Sequence, residues 1–192
     1  EAGQAHVDVA FIAAPACDRY GNVSGTMGPA ACGSLGYAMP DAEYADHVVA
    51  VTDYLVDYPL APVSIPQTRV DYVVAVEKIG DPKGIVSGTT TITKDPVGLK
   101  IAQSAAQVIA ASGLLKEGFS FQTGAGGASL AAADYMARIM ERRGISGSFA
   151  MGGITGYLVN MLDRGLFKRI IDVQDFDLEA VKSLATNPNH LE

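Results

Sequence analysis

The 192-residue sequence predicts an α/β protein built on an open, mostly parallel sheet with helices on both faces. Three observations predict it. Short β-rich apolar runs recur along the chain. From residue 95 onward they alternate with segments of helical spacing. Glycine-rich turns stand where strand gives way to helix. Strand, helix and strand in close succession require parallel pairing through right-handed crossovers.

The elements follow in order. His6 to Ala14 carries Val7, Val9, Phe11 and Ile12 before Pro15 and reads as a buried strand. Pro15 to Gly36 contains Gly21, Gly25, Gly28, Gly33 and Gly36, too many for a helix, and is a loop. Pro40 to Ala45 suits a short helix, and His47 to Thr52 is a second strand. Tyr54 to Gln67 holds Pro59, Pro62 and Pro66, so it runs extended outside any sheet interior. Val70 to Val76 is a third strand, followed by a Gly/Thr-rich connector from Gly84 to Thr93.

Asp95-Pro96 is an N-cap and N1 pair, and Ile101, Ala105, Val108 and Ile109 continue the helix toward Gly113. Phe119 to Thr123 is a strand, Ala128 to Arg143 a helix closed by Gly144, and Gly147 to Met151 a strand. Ile154 to Arg164 is a helix closed by Gly165, Arg169 to Val173 a strand, and Asp177 caps a final helix. The whole is expected to form one α/β domain over residues 1–192. With no initiating methionine before Glu1, it is expected to be a piece of a longer polypeptide, with Leu191-Glu192 as an appended pair.

Composition narrows the function. Hydrophobic residues at 48% and charged residues at 18% are globular values, not those of a disordered tail. No apolar run is long enough to span a bilayer, and the N-terminus lacks a signal-peptide layout. A formal net charge of −7 and a pI near 4.9, with no basic run, make nucleic acid a poor partner. An anionic ligand must then be drawn by a local device such as a helix N-terminus. Cys17 and Cys32 read as reduced thiols of a cytoplasmic protein, and neither has metal-ligand spacing to a second thiol or a histidine, so no metal site is expected.

The most informative segment is Phe121-Gln122-Thr123-Gly124-Ala125-Gly126-Gly127-Ala128-Ser129, which joins a strand to a helix. Gly124, Ala125, Gly126 and Gly127 offer uncovered N–H groups at a positive helix end, suited to a phosphate, a carboxylate or a developing oxyanion. Met151-Gly152-Gly153-Ile154-Thr155-Gly156 repeats the arrangement one unit later, giving Gly152 and Gly153 as a second donor set. Glycine at such turns also permits tight helix–sheet packing. The Walker pattern fails for want of Lys-Ser/Thr after Gly127, and GxGxxG fails at Ser129. A Ser129–histidine triad is disfavoured, because His6 and His190 lie near the chain ends. Asn22 and Ser24, in Asp18-Arg19-Tyr20-Gly21-Asn22-Val23-Ser24, are further ligand candidates, against an Asx-type turn held by Asp18 and Asn22. Lys94, Lys100, Arg69 and Arg19 are cations near loops or helix starts, of which Lys94 is the substrate-binding candidate; Glu77 and Glu117 carry no mark of a nucleophile.

VDVAFIAAPACDRYGNVSG at Val7 to Gly25, RVDYVVAV at Arg69 to Val76, FQTGAGGASLA at Phe121 to Ala131 and RGISGSFAMGGITGYLVNMLDRGL at Arg143 to Leu166 together resemble the citrate lyase α subunits of the CoA-transferase superfamily. The first and third also resemble acetate and 4-hydroxybutyrate CoA-transferases. There a proline usually follows the glycine turn, and Gly127-Ala128-Ser129 departs from that. The resemblance implies a CoA-transferase (NagB/RpiA-like) fold in two similar halves, of which this chain is mainly the first. It implies exchange of acetyl for citryl on an acyl-carrier thioester, citrate plus acetyl carrier giving citryl carrier plus acetate. No tightly bound cofactor is implied: acyl-CoA or the phosphoribosyl-dephospho-CoA arm of an acyl carrier subunit is a co-substrate. The implied partners are a β subunit, a γ acyl carrier subunit and further copies in an oligomer. Two alternatives stand beside this: an acetate-type CoA-transferase whose glutamate nucleophile lies in the other half, and a non-catalytic ligand-binding half-domain.

Overall fold

The computed structural model describes residues 3–85 and 90–192, so part of the connector from Gly84 to Thr93 lies outside the described residues. Read from sequence as one domain, the chain packs as two compact units, Glu1–Gly84 and Ile85–Glu192.

The first unit contains β1 (Val9–Ala14), β2 (Ala16–Asp18), β3 (Val23–Ser24), α1 (Ala38–Tyr44), β4 (His47–Thr52), β5 (Leu55–Val56) and β6 (Tyr72–Ala75). Its main sheet has the order β1-β4-β6, all parallel, running from Val9 opposite His47 to Ala14 opposite Thr52. Strand alternation sends Ala10, Ile12, Ala14, Val48 and Ala50 to one face, where Ala42 of α1 and Ile65 complete a core. The opposite face is apolar and open, with Phe11 74% and Tyr72 59% exposed. The glycine-rich stretch is not all loop. β2 pairs antiparallel with β3 and parallel with β5, and β5 takes the sheet edge, where the neighbouring prolines are tolerated.

The second unit runs α2 (Pro96–Ala111), β7 (Ser120–Gln122), α3 (Gly127–Arg143), β8 (Phe149–Ile154), α4 (Gly156–Asp163), β9 (Ile170–Asp175), α5 (Leu178–Thr186) and β10 (His190–Leu191). The predicted stop signals act as stops: Gly144 at φ 62° and Gly165 at φ 71° take the left-handed turn that ends α3 and α4. The sheet order is β10-β9-β8-β7, wholly parallel. Each crossover steps in the same direction, so right-handedness puts α3, α4 and α5 on one face. There Met136, Met140, Leu158, Met161, Ala150, Ile154 and Ile170 form a single core with Phe167, which stacks on Phe121 at 6.2 Å. Each large side chain buried there contributes about 1.5–3 kcal/mol. The sequence reading puts helices on both faces; in this unit the other face carries Met151, Ile171, Val173 and Leu191, each about two-fifths exposed. The α/β class and the parallel pairing are those the sequence predicts.

Candidate functional site

Parallel sheets present ligands at the carboxyl ends of their strands, where helix N-termini also point. Among the described residues, three of the four helices of eight residues or more have that end closed by a carboxylate of the chain itself. Asp95 accepts from the Gly98 amide of α2 at 2.7 Å. Asp177 serves two helices, accepting from Ala180 of α5 at 2.9 Å and from Gly156 of α4 at 2.7 Å. α3 differs: its N-cap is Gly126, no side chain caps it, and its first turn holds no acidic residue. Among the described residues, the amides of Gly124, Ala125, Gly126, Gly127, Ala128 and Ser129 meet no acceptor. The positive end of a 17-residue helix is therefore left uncompensated beside the end of β7.

The glycines of this turn have different causes. A Cβ on Gly127 would lie 2.9 Å from both the Thr91 carbonyl oxygen and the Thr93 nitrogen, and the Thr93 amide donates to the Gly127 carbonyl at 3.1 Å. Close packing of the 91–93 segment on α3 thus requires glycine there. Gly126 has φ −75° and ψ 154°, open to any residue, and a Cβ on it would meet nothing within 4 Å. Neither backbone nor packing demands glycine at 126, and what its small size leaves is room in front of the amides. Gly124 faces the Ser129 side chain, and the Thr123 hydroxyl lies 3.2 Å from the Ser129 carbonyl oxygen. Lys94 follows the segment that packs on Gly127, and its side chain is exposed.

The second donor set is corrected. Gly152 and Gly153 belong to β8, which continues to Ile154, and a register shift between them matches β9. Gly152 adopts φ 115° with its Cα side against Gln122, and the Phe176 ring occupies the space a Cβ on Gly153 would take. These glycines serve a bulge and a ring contact, and the helix end that follows them is closed by Asp177. The second bare turn expected there does not form.

Asn22 and Ser24 lie in the first unit, inside its packing. Asp18, fully buried, accepts on Oδ1 from the Tyr20 and Asn22 amides and on Oδ2 from the Asn22 side chain at 2.8 Å and the Leu60 amide at 3.0 Å. Burial pushes the Asp18 carboxyl up, but these donors, the Leu60 amide foremost, outweigh it and hold the group below the usual carboxylate range. Asn22 also accepts from the Gln67 amide at 3.0 Å, so its side chain is spent on fixing the turn. Ser24 is buried with its hydroxyl 3.2 Å from that of Thr26. The Asx-turn reading describes this loop. Arg69 pairs with Glu43 at 2.8 Å, and Glu117 accepts from the Ser146 amide. Cys17 and Cys32 are not joined in a disulfide, and burial, with the Asp18 charge second, pushes the Cys17 thiol up to about 11.

Sequence reasoning missed one constellation. His190 contacts Ser183 Oγ through Nδ1 at 3.0 Å and Asp172 Oδ2 through Nε2 at 3.2 Å, all three residues buried. Ser129 has no histidine partner among the described residues. Also among the described residues, no helix is long and apolar enough to cross a membrane.

Comparison with known proteins accords with this architecture. The citrate lyase alpha subunit (CitF) family profile matches residues 1–192. The citrate lyase alpha chains of Haemophilus influenzae and Escherichia coli are 50% and 49% identical over the whole of this chain, which covers 38% of each. A crystal structure of the citrate lyase alpha subunit from Streptococcus mutans, in complex with citrate, is 56% identical and superposes with a TM-score of 0.93, over 98% of this chain and 37% of that one. A malonate decarboxylase alpha subunit from Acinetobacter baumannii, 23% identical with a TM-score of 0.62, shares the fold. The chain thus spans under two-fifths of the length of the relatives it matches. Since the profile runs its full length and the uncapped glycine turn lies within the matched residues, the chain belongs to the citrate lyase alpha subunit family.

Proposed function

We propose that this chain is the glycine-turn-bearing part of an acyl transferase that exchanges acetyl for citryl on a carrier thioester. A citrate carboxylate attacks the acetyl thioester carbonyl, forming a C–O bond; the C–S bond breaks and a mixed anhydride and a thiolate result. The thiolate then attacks the citryl carbonyl, acetate leaves, and the citryl thioester remains. Negative charge builds on a carbonyl oxygen in both steps, so catalysis needs alignment of the two partners and fixed donors aimed at that oxygen. The observation that carries this reading is the uncapped end of α3, with the Gly124 to Gly127 amides unspent and open space before Gly126. Lys94, exposed directly after the 91–93 segment that packs on Gly127, is the cation this reading assigns to a citrate carboxylate.

The co-substrate in this reading is acyl-CoA or the phosphoribosyl-dephospho-CoA arm of an acyl carrier subunit, with no resident cofactor. The complete protein acts with a β subunit that cleaves the citryl thioester and a γ subunit that carries the arm. The citrate seen with the Streptococcus mutans relative supports citrate as the acid substrate.

Gly126→Pro tests it in the full-length subunit. The φ of −75° at Gly126 suits proline, so the change deletes one N–H at small cost to the backbone. Acyl exchange should lose about 10²- to 10³-fold in kcat, while KM for the thioester changes little. An unchanged kcat overturns the assignment.

A further inference from the structure

The buried Ser183–His190–Asp172 chain lies apart from the glycine turn and is not used by the proposed exchange. Ser183 sits on α5, His190 on β10 and Asp172 on β9, 18 residues before the histidine it meets. The fold alone brings them together. The Asp172 carboxylate facing Nε2 at 3.2 Å holds the ring proton on that nitrogen, which leaves the Nδ1 lone pair directed at the Ser183 hydroxyl 3.0 Å away. A serine hydroxyl, a histidine base and an orienting carboxylate in one hydrogen-bonded line are the parts of an activated nucleophile.

Ser183, only 7% exposed, is also one of the residues lining a cavity of about 340 Å³ between α4 and α5, together with Gly156, Asn160, Asp163, Glu179 and Lys182. The volume admits a short acyl group, and Asn160 and Lys182 stand on the same walls as Asp163 and Glu179. Burial holds the His190 imidazole below its ordinary pKa, against the opposing charge of Asp175, so it is a neutral base at neutral pH.

We propose that Ser183 is a base-activated nucleophile at the floor of the α4–α5 groove and a site of acylation by short-chain acyl esters and thioesters. In the step, Ser183 Oγ forms a bond to the acyl carbon while the bond from that carbon to the departing oxygen or sulfur breaks. The hydroxyl proton passes to His190 Nδ1 and from there to the leaving alkoxide or thiolate. The products are acyl-Ser183 and a free alcohol or thiol, with no oxidation.

The probe is p-nitrophenyl acetate, applied to the folded 192-residue chain in mildly alkaline buffer, with release of p-nitrophenol followed by absorbance and adducts mapped by peptide mass spectrometry. A burst of one p-nitrophenol per chain and an acetyl group on Ser183 are expected. Ser183 should outpace the exposed serines of the same chain, although it is itself nearly inaccessible. Asp172→Asn, which frees the imidazole to take the wrong tautomer, should slow Ser183 acetylation by about 10²-fold or more, with circular dichroism verifying the fold. A folded chain whose Ser183 stays unmodified, or is modified no faster than exposed serines, overturns the proposal, and so does equal acetylation in folded Asp172→Asn. The comparison among serines of the unsubstituted chain decides the matter even if the variant does not fold. Neither result bears on Gly126, so the two sites stand or fall separately.

Discussion

The Gly156 amide donates to the Asp177 carboxylate at 2.7 Å, across 21 residues, so the residue that caps α5 also closes α4. One anion placed between two helix ends neutralises both and removes that edge of the sheet from competition for a ligand anion. Replacing it exposes two helix termini at once. Asp177→Ala should destabilise the second unit by about 1–3 kcal/mol, the sum of two lost caps, and lower the urea midpoint without changing the m-value.

The two neighbouring glycines at the start of α3 should separate cleanly. Gly126→Ala meets no atom and should leave Tm within about 2 °C of the parent, while its methyl group stands in front of the bare amides. Gly127→Ala forces a methyl to 2.9 Å from the backbone of Thr91 and Thr93, and differential scanning calorimetry should show a loss of about 1–3 kcal/mol. Equal stability of the two variants would remove the distinction drawn between them.

Acid should loosen the first unit through Asp18. Its folded pKa is depressed by four donors, so ionised Asp18 contributes stability that is present above the unfolded value of about 3.9 and is lost as pH falls through the lower folded pKa. Asp18→Ala strands the Tyr20, Asn22 and Leu60 amides and should cost about 3 kcal/mol or more at neutral pH. The penalty should shrink below that range, measured as unfolding midpoints across an acid series.

Asp172 works with the opposite sign. Burial pushes its carboxyl up to about 6, assisted by the Glu192 charge and opposed by its hydrogen bonds to Asp175 and to the Gln174 amide. The folded state therefore holds this proton more tightly than the unfolded one, and the stability it contributes is full below about 3.9 and declines as pH rises toward 6. Asp172→Asn, which cannot ionise, should gain stability relative to the parent between those limits. A constant difference between the two proteins across that window would contradict the assignment.

Local structure is legible along the chain. Asp95-Pro96 starts α2, Asp177 starts α5, and Gly144 and Gly165 end α3 and α4, because caps and stops act on residues within one turn of themselves. The alternating pattern of β1 and β4 is local in the same way, and the segments Val7 to Gly25, Arg69 to Val76, Phe121 to Ala131 and Arg143 to Leu166 carry the family resemblance. Which glycine turn stays bare depends instead on packing between distant elements. Gly126 and Gly152-Gly153 look alike along the chain, yet β9 and Phe176 fill the space around the second pair and Asp177 closes the helix that follows it, while no described residue beyond its chain neighbours comes within 4 Å of where a Cβ on Gly126 would stand. The reach of Asp177 to Gly156, of Leu60 to Asp18 and of Ser183 to His190 and Asp172 likewise depends on strand order and crossover direction, which set contacts between residues far apart in sequence and leave no periodic trace in it.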